Sequence, residues 1–112
     1  MRNYRIFLTV IVLLLLSACS KPLPAERQSY VGHWRDDEGN INLIIHQTGE
    51  VNYERKTGST SVSVNAPLKE FQGDDFVVGI GFMTTTFKVS APPEEKEGKW
   101  QMVVDDVRLT KI

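Results

Sequence analysis

Cysteine is almost missing from this chain, and histidine is scarce. One cysteine, Cys19, and two histidines, His33 and His46, stand among 112 residues. A lone cysteine forms no internal disulfide, so the domain is not stapled together in an oxidising compartment. Two histidines with no second cysteine and no His-x-x-x-His spacing make a poor metal site, and no metal or other cofactor is expected. An excess of positive charge is lacking too, since 13 Lys and Arg face 14 Asp and Glu. That balance argues against nucleic acid, whose phosphates need a basic face, and against a polybasic patch on anionic lipid. A membrane-spanning run is also absent. The longest apolar stretch, Ile6 to Leu16, would be about 16 Å long as a helix, against a hydrocarbon core of roughly 30 Å. After residue 20 no segment keeps helical periodicity.

What is present is most specific at the N-terminus. Arg2 and Arg5 precede the apolar stretch, and Leu16-Ser17-Ala18-Cys19 closes it. A basic flank, a short apolar core and small residues before a cleavage point make a secretory signal. The only cysteine sits where the mature chain would begin, and Ser, Ala and Lys surround it rather than core-forming residues. The four residues Leu16 to Cys19 resemble the lipobox of bacterial lipoproteins. The resemblance implies cleavage between Ala18 and Cys19 and attachment of diacylglycerol to the Cys19 thiol. Cysteine suits the role because a thiolate is readily alkylated at sulfur. Several acyl chains hold far more firmly than one, at about 0.8 kcal/mol per buried methylene. Ser20 stands where enterobacterial lipoproteins kept at the inner membrane carry aspartate, so the resemblance implies the outer membrane, at its periplasmic face. Residues 1–18 are thus expected to be a signal peptide, and 19–29 a lipidated N-terminus and extended tether containing Pro22 and Pro24, with an ordered arm lying across the domain as the alternative. Residues 30–112 are expected to form the folded domain. Losing 1–18 removes Arg2 and Arg5 and no acid, which leaves 11 basic against 14 acidic residues.

From Tyr30 onward the pattern has period two and is punctuated by turns. Strands are expected at Tyr30 to Arg35, Ile41 to Ile45, Val51 to Arg55, Ser59 to Asn65, Leu68 to Gln72, Asp75 to Ile80, Phe82 to Val89, Lys99 to Val104 and Val107 to Lys111. Asp36 to Asn40, Gln47 to Glu50, Lys56 to Gly58, Asp74-Asp75 and Asp105-Asp106 read as turns, and Pro92-Pro93 through Gly98 as a polar loop. The expected fold is all-β: a small antiparallel meander of about eight strands, forming a barrel or half-barrel. Trp34, Ile41, Leu43, Ile45, Val51, Tyr53, Val62, Val64, Phe71, Phe76, Phe87, Val89, Trp100, Met102 and Val104 would fill a narrow interior.

Gly32-His33-Trp34 is similar to the Gly-x-Trp signature of lipocalin-like barrels. In that superfamily the tryptophan closes one end of the barrel and an arginine from a late strand packs over it. The resemblance implies this part for Arg108, with Gly32 and Trp34 as structural residues.

Little else in the chain points to chemistry. The acids at 36–38 do not match the Asp-x-Asp-x-Asp-Gly calcium loop, and paired aspartates are expected at turns on conformational grounds alone. Ser59, Ser61 and Ser63 share a strand face with no histidine placed to activate them. Gly79-Ile80-Gly81 lacks the Lys-Ser/Thr of a phosphate loop. The chain is therefore not expected to be an enzyme. Three roles fit: a membrane-held accessory module docking an envelope protein, a binder of a small apolar ligand, or an inhibitor or immunity lipoprotein against an envelope-targeting enzyme.

Overall fold

The computed structural model describes residues 21–112. Among them, nine antiparallel strands form one sheet curled into a half-barrel. They are β1 (Gly32–Arg35), β2 (Ile41–Ile45), β3 (Glu50–Thr57), β4 (Thr60–Gln72), β5 (Asp75–Ile80), β6 (Met83–Phe87), β7 (Val89–Lys96), β8 (Lys99–Val104) and β9 (Val107–Lys111). Across the sheet the order is β6-β5-β4-β3-β2-β1-β9-β8-β7. The strands at the two edges, β6 and β7, are joined by Lys88 alone.

That connection forces the curl. Nine strands laid flat at about 4.8 Å spacing would separate the two edges by roughly 38 Å. The step from Phe87 to Val89 reaches only about 7 Å. The sheet must therefore bring its edges together at this corner. Two aspartates hold the corner in place. Asp75 Oδ1, on β5, accepts from the Val89 amide at 2.7 Å. Asp105 Oδ1 accepts from the Lys88 amide at 3.0 Å, and the Asp105 amide donates to the Lys88 carbonyl at 2.8 Å.

Alternation decides which side chains fill the curl. Along β2, Ile41, Leu43 and Ile45 are buried while Asn42 and Ile44 are only partly covered. Trp34, Val51, Phe76, Phe87, Met102, Val104 and Leu109 complete the interior. Phe76 stacks on Phe87 with ring centroids 5.0 Å apart, and Tyr53 meets Phe87 edge-on at the same distance. Tight turns follow the expected chemistry at Asp105-Asp106, where both residues have positive φ (49° and 66°). Such pairs match the twist of a two-residue hairpin, and aspartate tolerates that region better than most side chains.

Four expectations are corrected. Leu68 to Gln72 is not a separate strand but the continuation of β4, with a register shift between Leu68 and Glu70. The stretch Phe82 to Val89 is two strands, broken at Lys88, and Phe82 lies in the turn before β6. Pro92-Pro93 does not end the sheet. β7 runs through both prolines because it is an edge strand with irregular register, so a missing N–H breaks no ladder. Val62 is 51 % exposed rather than core, because the β3–β4 hairpin runs past the covered part of the sheet.

The expected tether is also only partly free. Pro24 is extended, with φ −66° and ψ 161°, yet Leu23 between the prolines is buried and its amide donates to the Gln47 carbonyl at 3.2 Å. Ala25–Tyr30 then forms a 3₁₀ helix. Arg27 stacks over Phe71 at 4.4 Å and donates to the Gly73 carbonyl at 2.9 Å. The buried Tyr30 hydroxyl donates to the Asp74 carbonyl at 2.9 Å. Residues 21–30 are thus an arm laid against the sheet.

Trp34 ties the arm to the interior: it is fully buried, and its Nε1–H donates to the Tyr30 carbonyl at 2.9 Å. Replacing Trp34 with Ala should lower the unfolding free energy by about 3–5 kcal/mol in urea titration, the range for large buried aromatics. A loss below about 1 kcal/mol would contradict this packing.

Candidate functional site

Trp34 and Gly32 on β1 meet β9, but the cation placed over the tryptophan is not the expected one. In the β1–β9 pairing Trp34 stands opposite Lys111. Lys111 Nζ lies 4.9 Å from the Trp34 ring centre and 5.2 Å from that of Trp100, and it donates to the Ser29 carbonyl at 3.0 Å. Arg108 is three residues away on β9, so by alternation it faces outward and is exposed. The expectation for Arg108 is corrected: register, not residue type, selects Lys111. Gly32 makes room for it. A Cβ there would stand 3.0 Å from Lys111 Cδ and Cε, and the Gly32 φ of +146° disfavours any side chain.

Burial lowers the Lys111 pKa below the usual lysine value. Tyr30 moves the other way. Burial raises its hydroxyl pKa, the Arg27 charge works against the rise, and Asp74 and Asp75 add to it.

Arg108 instead borders an open basin of about 700 Å³ with Asp36, Asp37, Glu38, Arg55, Lys56 and Asp106. Several of these polar groups serve the local turn. Asp36 Oδ1 accepts from the Ile41 amide at 2.9 Å, and Asn40 Nδ2 donates to Glu38 at 3.1 Å. Among the described residues no three His, Cys, Asp or Glu gather as metal ligands.

The outer face of β1–β4 carries a different set. His33 Nε2 lies 2.9 Å from Asn42 Oδ1, an acceptor, so this nitrogen donates. His46 Nε2 donates in the same way to Asn52 Oδ1 at 2.6 Å, and Asn52 Nδ2 passes the chain on to Asn65 Oδ1 at 2.8 Å. Register aligns His33, Ile44, Asn52 and Asn65 in one row across four strands. A shallow depression of about 330 Å³ lies over this row, bordered also by Tyr53, Glu54 and Ser63. Both histidines face outward, and both are bonded to asparagine rather than to a serine hydroxyl. The asparagines were not singled out from sequence. Their partnership depends on strand pairing up to 13 residues apart, and no short motif marks it.

The interior offers much less room. The depression bordered by Ile41, Tyr53, Val104 and Leu109 holds about 10 Å³. Leu16 to Cys19, with Cys19 as the expected lipidation site, lies outside the described residues. No family model, curated protein or solved structure matches the chain.

The opposite shifts at Lys111 and Tyr30 give a test in alkaline solution. With its folded pKa lowered, Lys111 is harder to protonate in the folded chain than in the unfolded one. Its charging penalty is complete below the folded pKa and disappears as pH rises to the unfolded value of about 10.4. Tyr30, with its folded pKa raised, stabilises fully below the unfolded value of about 10 and loses that contribution as pH climbs through the folded one. Lys111→Met keeps the stem over Trp34 and removes the first effect only. The unfolding free energy of the wild type minus that of Lys111→Met should therefore rise as pH climbs towards the lysine value. A flat difference would contradict the burial of the ammonium.

Proposed function

We propose that this chain is a lipid-anchored, non-catalytic docking module of the bacterial outer membrane. It is held at the periplasmic face by acyl chains on Cys19 after loss of residues 1–18. Its partner is an envelope protein, which rests on the outer face of β1–β4. The observation that carries the docking role is the filled interior. A small apolar ligand needs a cavity of about 300 Å³ or more, and the depression reaching the core holds about 10 Å³. Recognition then falls to the outside, where half-buried Ile44 sits among His33, Asn42, Asn52 and Asn65. An apolar centre ringed by hydrogen-bonding groups is the usual anatomy of a protein-binding patch. The amide and imidazole groups are already held by each other, so little side-chain freedom is lost on docking. The anchor rests on the sequence from Arg2 to Cys19, and the acidic balance of the mature chain leaves membrane attachment to apolar groups rather than to charge.

Crosslinking in intact cells, with a C-terminally tagged chain, tests both parts. One or two envelope proteins should be recovered in near-stoichiometric amount, and Ile44→Arg should reduce their recovery about tenfold, the scale of a buried interface residue. Cys19→Ser should leave an unprocessed precursor. Undiminished recovery with Ile44→Arg would remove the assigned face, and a mature acylated Cys19→Ser protein would remove the anchor.

A further inference from the structure

The β5–β6 hairpin ends in Ile80-Gly81-Phe82-Met83, and three of its side chains face solvent. Ile80 is 71 % exposed, Phe82 96 % and Met83 74 %. The hairpin needs only two residues to turn, and Gly81, with φ +62°, supplies the unusual backbone. Nothing in the turn itself calls for a phenylalanine and a methionine beside it. The next three residues, Thr84 to Thr86, are polar and exposed, so the apolar character is concentrated at the tip.

The place of this tip relative to the start of the arm gives it meaning. Lys21, Pro67, Leu68, Lys69, Gly79, Ile80 and Gly81 border one shallow depression. Lys69 Nζ donates to the Gly81 carbonyl at 2.8 Å. Gly49 lets Lys21 lie close to it, because a Cβ there would meet the Lys21 carbonyl. Cys19 precedes Lys21 by two residues, and two residues of chain reach about 7 Å at most. An acyl-bearing Cys19 therefore lies within that reach of Lys21, and the bilayer surface must come almost as close. The part of the domain nearest the bilayer is the part that carries the exposed tip.

We infer that the Ile80–Met83 tip inserts into the bilayer interface beside the acyl chains, fixing how the domain stands on the membrane. This rests on the lipid-anchor reading. Lys21 and Lys69 flank the tip and can extend their stems along apolar surface with the ammonium groups at headgroup level. Glu50, opposite Pro67 in the sheet, offsets part of their charge, so apolar insertion rather than lipid charge drives the contact. The acyl anchor makes insertion an intramolecular event, and a tip too small to bind membranes alone can act. With this end down, the turn of the β3–β4 hairpin at Gly58 lies at the far end of its strands from Glu50 and Pro67.

The mature full-length protein supplies the test. Acylation consumes the Cys19 thiol, so Thr84→Cys or Thr60→Cys introduces one free thiol for an environment-sensitive fluorophore. Each labelled protein is reconstituted in phosphatidylethanolamine–phosphatidylglycerol vesicles carrying nitroxide at headgroup depth, and mass spectrometry first reads its acylation. The label at 84 should be quenched about threefold more than that at 60, as for a residue seated in the interface. Combining Ile80→Ser, Phe82→Ser and Met83→Ser should bring it to the level at 60 with acylation unchanged. Equal quenching at both positions in an acylated protein would overturn the inference and leave the anchor standing. Shielding of the label at 84 that grows with protein concentration, without nitroxide quenching, would assign the tip to a second copy and equally overturn it. A product without acyl mass would overturn the anchor and this inference together.

Discussion

The corner at Lys88 is the constraint on which the rest of the molecule depends. One residue connects strands at opposite edges of the sheet, and a flat sheet is incompatible with it. Curling places the inward side chains of distant strands against one another, which is why Phe76 on β5 and Phe87 on β6 can share a core with Met102 on β8 and Trp34 on β1. Hydrogen bonds from Asp75 and Asp105 make the corner a fixed joint rather than a passing contact. Once the curl is set, a small chain has just enough apolar volume to fill it.

A filled half-barrel leaves few places for function. The arm covers one side with Leu23 and Tyr30, and Lys111 lies against Trp34. No buried polar side-chain atom among the described residues lacks a partner. Open depressions lie over the outer face of β1–β4 and beside Arg108. The exposed apolar tip of β5–β6 is different in kind, and it shares a shallow depression with Lys21 at the start of the arm.

Much of the fold is readable from sequence because alternation and turn residues agree. Ile41, Leu43 and Ile45 alternate inward as their spacing implies, and Asp105-Asp106 turns where paired aspartates are expected. What escapes is decided by register and edge position. Pro92-Pro93 reads as a loop until β7 is known to be an edge strand. Arg108 fits the Gly-x-Trp likeness by type, yet pairing sets Lys111 opposite Trp34 and turns Arg108 outward. Leu23 is one apolar residue between two prolines, and its burial depends on a carbonyl 24 positions along the chain. The asparagine network and the exposure of Phe82 are likewise products of assembled strands. Cys19 lies outside the described residues, and its reading as a lipidation site rests on local sequence.

The most direct measurement of closure is the hydrogen-exchange rate of the Val89 amide in the folded protein. Its acceptor is the Asp75 side chain on β5, so protection reports whether the Lys88 corner is held against β5. Exchange as slow as that of the central core amides, through global unfolding, is the expected result. Exchange at the rate of an open loop would mean that Asp75 does not hold the corner, and would contradict the account.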